Sequence, residues 1–443
     1  MKEIMRLHGT ARINQFNHLE IGGCDTVELV KKYGTPLYLI DEYLIRKNCR
    51  DYINCFSSNY DRVKVVYAGK AFLDLAMCRI VEEEGLCLDV VSGGELYTAL
   101  RAGFPPDRII FHGNNKTDSE LKMAAEHGVG RIVVDNMSEL MKTGAFAKQS
   151  GKVINIYIRV SPGVEAHTHD YIKTGQIDSK FGFPLLNDQA LNAVKIAKSM
   201  ENISLMGLHC HIGSQIFEIQ PYIEAVNVMM KFASIIKKEF EADIPEIDFG
   251  GGFGIYYSDG DSPLPKKVIA ESITDCVKKN ADIYNLKRPC ILVEPGRSII
   301  GNAGTTLYNV GAIKNIPGIR KYVIVDGGMT DNIRPALYRA KYEAAVANRM
   351  NSSDCEVVTI AGKCCESGDI LVKDINMPKV NTGDIISIFS TGAYGLSMSS
   401  NYNGIPKPCV VLVNDGGSYV ISKRETYDEI IENDIIPDEL KRI

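Results

Sequence analysis

Long hydrophobic runs are missing from this chain. No stretch approaches the roughly 18 apolar residues of a membrane-spanning helix. The N-terminal MKEIMRLHGTARINQFNHLE holds no apolar core of the kind a signal peptide carries. Neither a membrane protein nor a secreted one is expected. The chain has 12 cysteines, but no CxxC and no regular spacing. That leaves no dithiol centre and no disulfide framework to read. Positive charge is not in excess either. The chain has 50 Lys and Arg against 55 Asp and Glu, a formal net charge of -5 and an isoelectric point of about 6.0. Nucleic-acid binding leaves a basic footprint, so no nucleic-acid partner is expected. Internal repeats and low-complexity segments are lacking as well. These absences leave a cytoplasmic globular protein whose cysteines are mostly buried thiols.

What is present is material for two domains. The 443 residues exceed one ordinary domain, and a composition 45% apolar and 24% charged supplies a large core. Short β-rich runs begin near residues 63, 87, 109, 131, 155, 205, 246 and 290: VKVVYA, CLDVV, IIFHG, RIVVDN, NIYIRV, LMGLHCHIG, EIDFGGG and CILVEPGR. Segments of helical period, such as DSELKMAAEHGV and IQPYIEAVNVMMKFASIIKKEF, lie between them. Alternation of this kind predicts parallel βαβ units. Eight of them predict a (β/α)₈ TIM-type barrel over residues 36–300. After that the texture changes to short strands and turns (TTLYNVGAIKNI, KYVIVDGG, CEVVTIAG, DIISIFSTGAY, PCVVLVND). These predict an antiparallel β-domain over 301–443, sandwich- or barrel-like. Residues 1–35 fall outside the barrel rhythm and are expected to join that domain.

The barrel strands end on polar residues: Lys70, Ser92, Asn114, Asp135, Arg159, His211, Gly250 and Glu294. The C-terminal strand ends build the active site of such barrels. A single lysine after a buried strand, as in VVYAGKA, is most simply the first solvated residue. Its neighbours in the ring add chemistry. DFGGGFG (248–254) follows the seventh strand and is no dinucleotide fingerprint, since the third glycine of GxGxxG is missing. Its glycines still let backbone N–H groups approach an anion. EPGR (294–297) gives a second such turn after the eighth strand. Turns after strands seven and eight form the usual phosphate site of this barrel. A lysine, a phosphate cradle, a histidine and a carboxylate at one barrel mouth suit pyridoxal phosphate, which needs a Schiff-base lysine and an acid partner for its ring nitrogen.

The motifs YAGKA, HIGSQ, DFGGGFG and EPGR resemble those of the diaminopimelate decarboxylase family, within the class of pyridoxal-phosphate decarboxylases with an alanine-racemase-type barrel. Ornithine and arginine decarboxylases share similar elements. More selective are PGVEAHTHDYIKTGQIDSKFG (162–182), DNIRPALY (331–338), CESGD (365–369), GAYG (392–395) and KRETYDEI (423–430). The resemblance implies decarboxylation of meso-2,6-diaminopimelate to L-lysine, the last step of lysine biosynthesis. It implies Lys70, Glu294, His211 and Cys365 as the catalytic set, with Cys365 returning the proton. It implies cofactor contacts from Lys70, Asp89, Arg159, His211, Ser214, Gly251, Gly252, Glu294, Pro295, Gly296, Arg297 and Tyr394. For the far end of the substrate it implies Arg297, Arg334, Tyr338, Glu366 and Tyr394, the guanidinium forks suiting the carboxylate. It also implies a homodimer whose sites are completed by the partner's loop around Cys365 and Glu366. Cys364 stands where histidine is more usual in the family.

Rival activities remain open. An ornithine or arginine decarboxylase would have no use for arginines facing a distal carboxylate. An alanine-racemase-like isomerase fits the domain order and CESGD poorly, and a barrel-only cofactor carrier would leave the β-domain without a role. His167-Thr168-His169 is suggestive of metal but has no further ligand at suitable spacing, so no metal is expected. Adjacent Cys364 and Cys365 are expected reduced.

Overall fold

The computed structural model describes residues 6–164 and 179–441. It contains two compact units: Ile45–Gly301, and a second made of the chain up to Leu44 together with the chain from Asn302 onward. His167, Thr168, His169 and most of the 162–182 stretch lie outside the described residues. Among the described residues, no helix is long and apolar enough to cross a membrane.

The first unit is a closed barrel of eight parallel strands. They are β1 (Val63–Ala68), β2 (Cys87–Val90), β3 (Ile109–Phe111), β4 (Arg131–Val134), β5 (Ile154–Ser161), β6 (Ile203–His209), β7 (Glu246–Asp248) and β8 (Cys290–Val293). Each pairs with the next, and β8 pairs with β1 to close the ring. Helices cover the outside, as parallel sheets require. Several start on a capping side chain a few residues after a strand. Asp74 accepts the N–H of Met77 at 2.7 Å, Ser92 that of Glu95 at 3.2 Å and Asn136 that of Glu139 at 3.0 Å. Thr117 and Glu120 form a reciprocal capping box. These caps start the helices that follow β1 to β4.

Side chains alternate along a strand with period two, so every second residue faces the barrel interior. The interior is therefore layered. At the N-terminal end Glu246 binds Lys64 Nζ at 2.6 Å, Arg131 Nε and Nη2 at 2.9 and 3.0 Å, and the Tyr157 hydroxyl at 2.5 Å. Val66, Ile110, Val133, Tyr157 and Leu292 form an apolar plug above this cluster. Two residues further along the same strands come Asp89, His112, Asp135, Arg159, Asp248 and Glu294, all buried. The plug shuts the barrel from below, and the polar layer floors its C-terminal mouth.

The second unit is built on the long strand Gly304–Ile316. It pairs antiparallel with Leu37–Asp41, Arg320–Val325 and Ile385–Phe389. Leu37, Leu39, Leu307, Phe389, Val411 and Val413 belong to its core. The sheet is mostly antiparallel, with two exceptions. Arg320–Val325 runs parallel to Cys355–Ala361, and Cys409–Asn414 runs parallel to Leu37–Asp41. Both pairs join segments far apart in the chain, which is what a parallel pairing needs. Turn signals alone suggest only hairpins there. Leu37–Asp41 lies at the heart of this sheet, so the domain boundary near residue 36 moves to Leu44.

Candidate active site

Lys70 sits in the short turn Gly69–Ala71 immediately after β1. Its Nζ donates to Asp89 Oδ2 at 2.9 Å; Asp89 is fully buried and Lys70 keeps 36% of its side-chain surface. Glu95 anchors the turn after β2 by accepting the Val91 N–H at 2.8 Å. Burial pushes the Glu95 carboxyl up to about 7. A lysine paired with a buried carboxylate, yet still reachable, is placed to meet a carbonyl carbon at the mouth.

Glu294 follows β8. Its Oε1 lies 2.8 Å from His112 Nε2 and its Oε2 lies 3.5 Å from His209 Nε2. Burial alone would raise its carboxyl, but the two imidazoles outweigh that and hold it well below the carboxylate range. Asp248 shows the reverse: burial, and then the charge of Glu294, push its carboxyl far up. One anion thus lies among neutral or donating neighbours. His211 is tied to the glycine turn through its Nδ1, which accepts the Gly251 N–H at 3.3 Å. Burial and then the Lys70 charge keep its imidazole neutral.

The glycine turn is shaped by close approach. A Cβ on Gly251 would stand 2.1 Å from Glu294 O, and one on Gly252 would stand 2.3 Å from Gly213 O. Gly252 also has φ of +92°, a region that disfavours side chains. Beside it Arg297, buried, donates to the Tyr257 hydroxyl at 2.6 Å and to Ser214 Oγ at 2.8 Å. Pro295 O accepts the Ala68 N–H at 3.4 Å, which joins β1 to the EPGR turn. Arg159 Nε lies 3.8 Å from Asp135 Oδ1, and its guanidinium lies 4.4 Å from the centre of the Phe181 ring.

The barrel mouth therefore brings together Lys70, Asp89, Arg159, His211, Ser214, Gly251, Gly252 and Glu294 through Arg297. Two strand-end residues have other duties. Ser92 caps a helix, and the carbonyl of Asn114 accepts from Asn136 Nδ2. β3 contributes His112 in place of Asn114. His112, His209, Asp248 and Glu95 were not singled out from the sequence. The signal for the first three was available: each lies two residues beyond an interior position of its strand. The donor set fits pyridoxal phosphate: an amine for its aldehyde, a buried anion for a protonated ring nitrogen, and glycine turns too tight for side chains.

The second unit carries the other expected residues. Arg334 is buried and donates to the Tyr342 hydroxyl, with its own N–H on Asn332 Oδ1 at 3.3 Å. Tyr394 takes a left-handed backbone with φ of 58°, a conformation that costs a tyrosine on the order of 1–2 kcal/mol. Cys365 and Glu366 are exposed on the loop after Cys355–Ala361. That loop is clamped by Asp369, whose carboxylate accepts the Met329 N–H at 2.6 Å and the Cys364 N–H at 2.8 Å. The Cys365 N–H is held by Asn403 Oδ1 at 2.8 Å. Burial, followed by the nearby Asp369, pushes the Cys364 thiol up to about 11, which disfavours its thiolate.

Residues 44–301 match the family described as pyridoxal-dependent decarboxylase, pyridoxal binding domain. The chain is 52% identical to a diaminopimelate decarboxylase of Bacillus subtilis strain 168, over 97% of this chain and 98% of that one. It is 44% identical to a diaminopimelate decarboxylase of Staphylococcus aureus, over 96% of this chain and 99% of that one. Among solved structures, a diaminopimelate decarboxylase of M. jannaschii in co-complex with L-lysine superposes with a TM-score of 0.92 at 38% identity, covering 98% of this chain and 99% of that one.

Proposed function

The chain belongs to the diaminopimelate decarboxylase family of pyridoxal-phosphate enzymes, and we propose the following division of labour among its residues. The reaction is decarboxylation of meso-2,6-diaminopimelate to L-lysine and carbon dioxide, the final step of lysine biosynthesis. The observation that carries the assignment at this site is the pairing of Lys70 with Asp89 and of Glu294 with two imidazoles in one polar layer.

When bound, the cofactor supplies a cationic conjugated ring that takes up the electron pair left by carbon dioxide. Lys70 holds the cofactor's aldehyde carbon, and Asp89 keeps the lysine aligned. Glu294 holds the proton on the ring nitrogen. His211, neutral and fixed by Gly251, would pack against the ring face. Gly251, Gly252, Ser214 and the Pro295-Gly296 turn hold the phosphate, with Arg159 and Tyr394 as further contacts. Arg297 and Arg334 receive the carboxylate at the substrate centre that is retained, Glu366 its ammonium, and Tyr338 and Tyr394 close the pocket. Cys365 Sγ returns a proton to the carbon that lost carbon dioxide.

The active form is a cytoplasmic homodimer in which the partner's loop completes each site. Exposure of Cys365 and Glu366 on a well-clamped loop supports this arrangement. The test is carbon dioxide release from a panel of meso-diaminopimelate, its LL isomer, ornithine, arginine and lysine. Release from meso-diaminopimelate alone is expected, and preferred turnover of ornithine or arginine would overturn the substrate assignment.

A further inference from the structure

Three buried polar residues around Glu294 have no part in the mechanism above. His112 follows β3, His209 ends β6 and Asp248 ends β7. All are almost fully buried. One nitrogen or oxygen of each lies with one of Glu294 in a cluster whose atoms are all within 4.8 Å of one another. The His112 and His209 rings meet edge to face, with centroids 4.8 Å apart. Asp248 Oδ1 accepts the Gly250 N–H at 2.8 Å, and Gly250 O accepts the Glu294 N–H at 2.8 Å. The cluster is thus tied to the glycine turn at both its acids.

Burying four polar groups together is costly unless each serves another. We propose that His112, His209 and Asp248 are positioning residues that hold the Glu294 carboxylate as an anion aimed at the cofactor's ring nitrogen. This rests on the assignment of Glu294 as the partner of that nitrogen. His112 Nε2 stands 2.8 Å from Oε1. Asp248 stays protonated and shares its proton with Glu294 while accepting from Gly250. His209, neutral because burial lowers it to about 3, supplies the third side of the cage. Lys70, Asp89, Asp135 and Arg159 face the cage from the remaining strand ends, with His211 beyond β6. With Glu294 anionic, the ring nitrogen stays protonated and the ring remains a strong electron sink. Without the cage, burial would drive Glu294 to protonate, and a neutral acid cannot do this.

The experiment uses His112→Leu, His112→Gln, Asp248→Leu and Asp248→Asn in the full chain. Two readouts are taken: steady-state kinetics of the holoenzyme, and binding of pyridoxal phosphate and its 1-deaza analogue to cofactor-free protein. The analogue has C–H where the ring nitrogen stands. The two leucine variants are expected to lose roughly tenfold or more in kcat at little change in KM, and most of the preference for pyridoxal phosphate over the analogue. Gln at 112 keeps a donor, and Asn at 248 both accepts from Gly250 and donates to Glu294. Both should retain kcat within about threefold and keep the ring-nitrogen preference. If the leucine variants do not fold, the amide variants decide. Loss of the preference in His112→Gln and Asp248→Asn overturns the cage. So does a leucine variant that folds and keeps the preference, whatever its kcat. Failure of wild-type protein to release carbon dioxide from diaminopimelate would instead refute the assigned activity.

Discussion

The amine of Lys70 lies 2.9 Å from Asp89 Oδ2, an open side chain against one with no exposed surface. Such a pair holds the lysine in one direction at low cost, because the buried carboxylate already needs a cation. Lys70→Ala should therefore abolish the visible absorbance of lysine-bound cofactor and essentially all turnover, with the barrel still folded. The spectrum of the purified variant and its rate of carbon dioxide release check this. A variant keeping both would remove Lys70 from its role.

At the opposite end of the barrel, Glu246 offers a pH prediction. Burial raises its carboxyl, but hydrogen bonds from Arg131, Lys64 and Tyr157 prevail and bring it down to about 2 from 4.5. A depressed carboxylate stabilises the fold fully above its unfolded value. That contribution is lost as pH falls from about 4.5 towards about 2. Glu246→Gln should cost about 2–4 kcal/mol at neutral pH, since Arg131 then stays half-buried without its anion. The gap between wild type and variant, measured by urea unfolding, should narrow steadily below pH about 4.5. A gap constant from pH 7 down to about 3 would show that the ion cluster does not govern it.

Much of this was legible in the sequence. Parallel strands buried on both faces read as unbroken apolar runs, so VKVVYA, RIVVDN and CILVEPGR predict the barrel from local pattern alone. The residues just after them gave Lys70 and Glu294. The cage behind Glu294 was not read, because it rests on the inward alternation along each strand. Counting by twos from Ile110, Gly207 and Glu246 gives His112, His209 and Asp248. β3 stops at Phe111, which no local signal marks, and so Asn114 stood in for His112. The setting of Cys365 was hidden for a different reason. It depends on Asp369 and Asn403 reaching back across a loop, and hydrogen bonds of that kind leave no periodicity.

Arg334 allows a test of how the far end of the substrate is held. Arg334→Leu would leave a desolvated substrate carboxylate with only one of its two proposed guanidinium partners, lowering kcat/KM for diaminopimelate by roughly 2–5 kcal/mol in transition-state terms. L-lysine retains that carboxylate and should weaken in parallel as an inhibitor. Cadaverine lacks it and should be unaffected. Arg334 also packs against Tyr342, so a thermal melt accompanies the kinetics. Equal weakening of lysine and cadaverine would show that Arg334 only supports the fold.

The proton donor and the dimer can be tested together. If Cys365 reaches into the partner's pocket, inactive Lys70→Ala chains and inactive Cys365→Ala chains should complement each other. Each mixed dimer has one site with both residues intact and one with neither. Random exchange of equal amounts makes about half of the dimers mixed, so activity should return to roughly a quarter of wild type. If Cys365 served its own chain, every site in a mixed dimer would keep one defect. Subunit exchange is verified separately, by tagging the two variants differently and isolating the doubly tagged species. Doubly tagged dimers without activity would place Cys365 in the site of its own chain and leave the assignment of Lys70 standing.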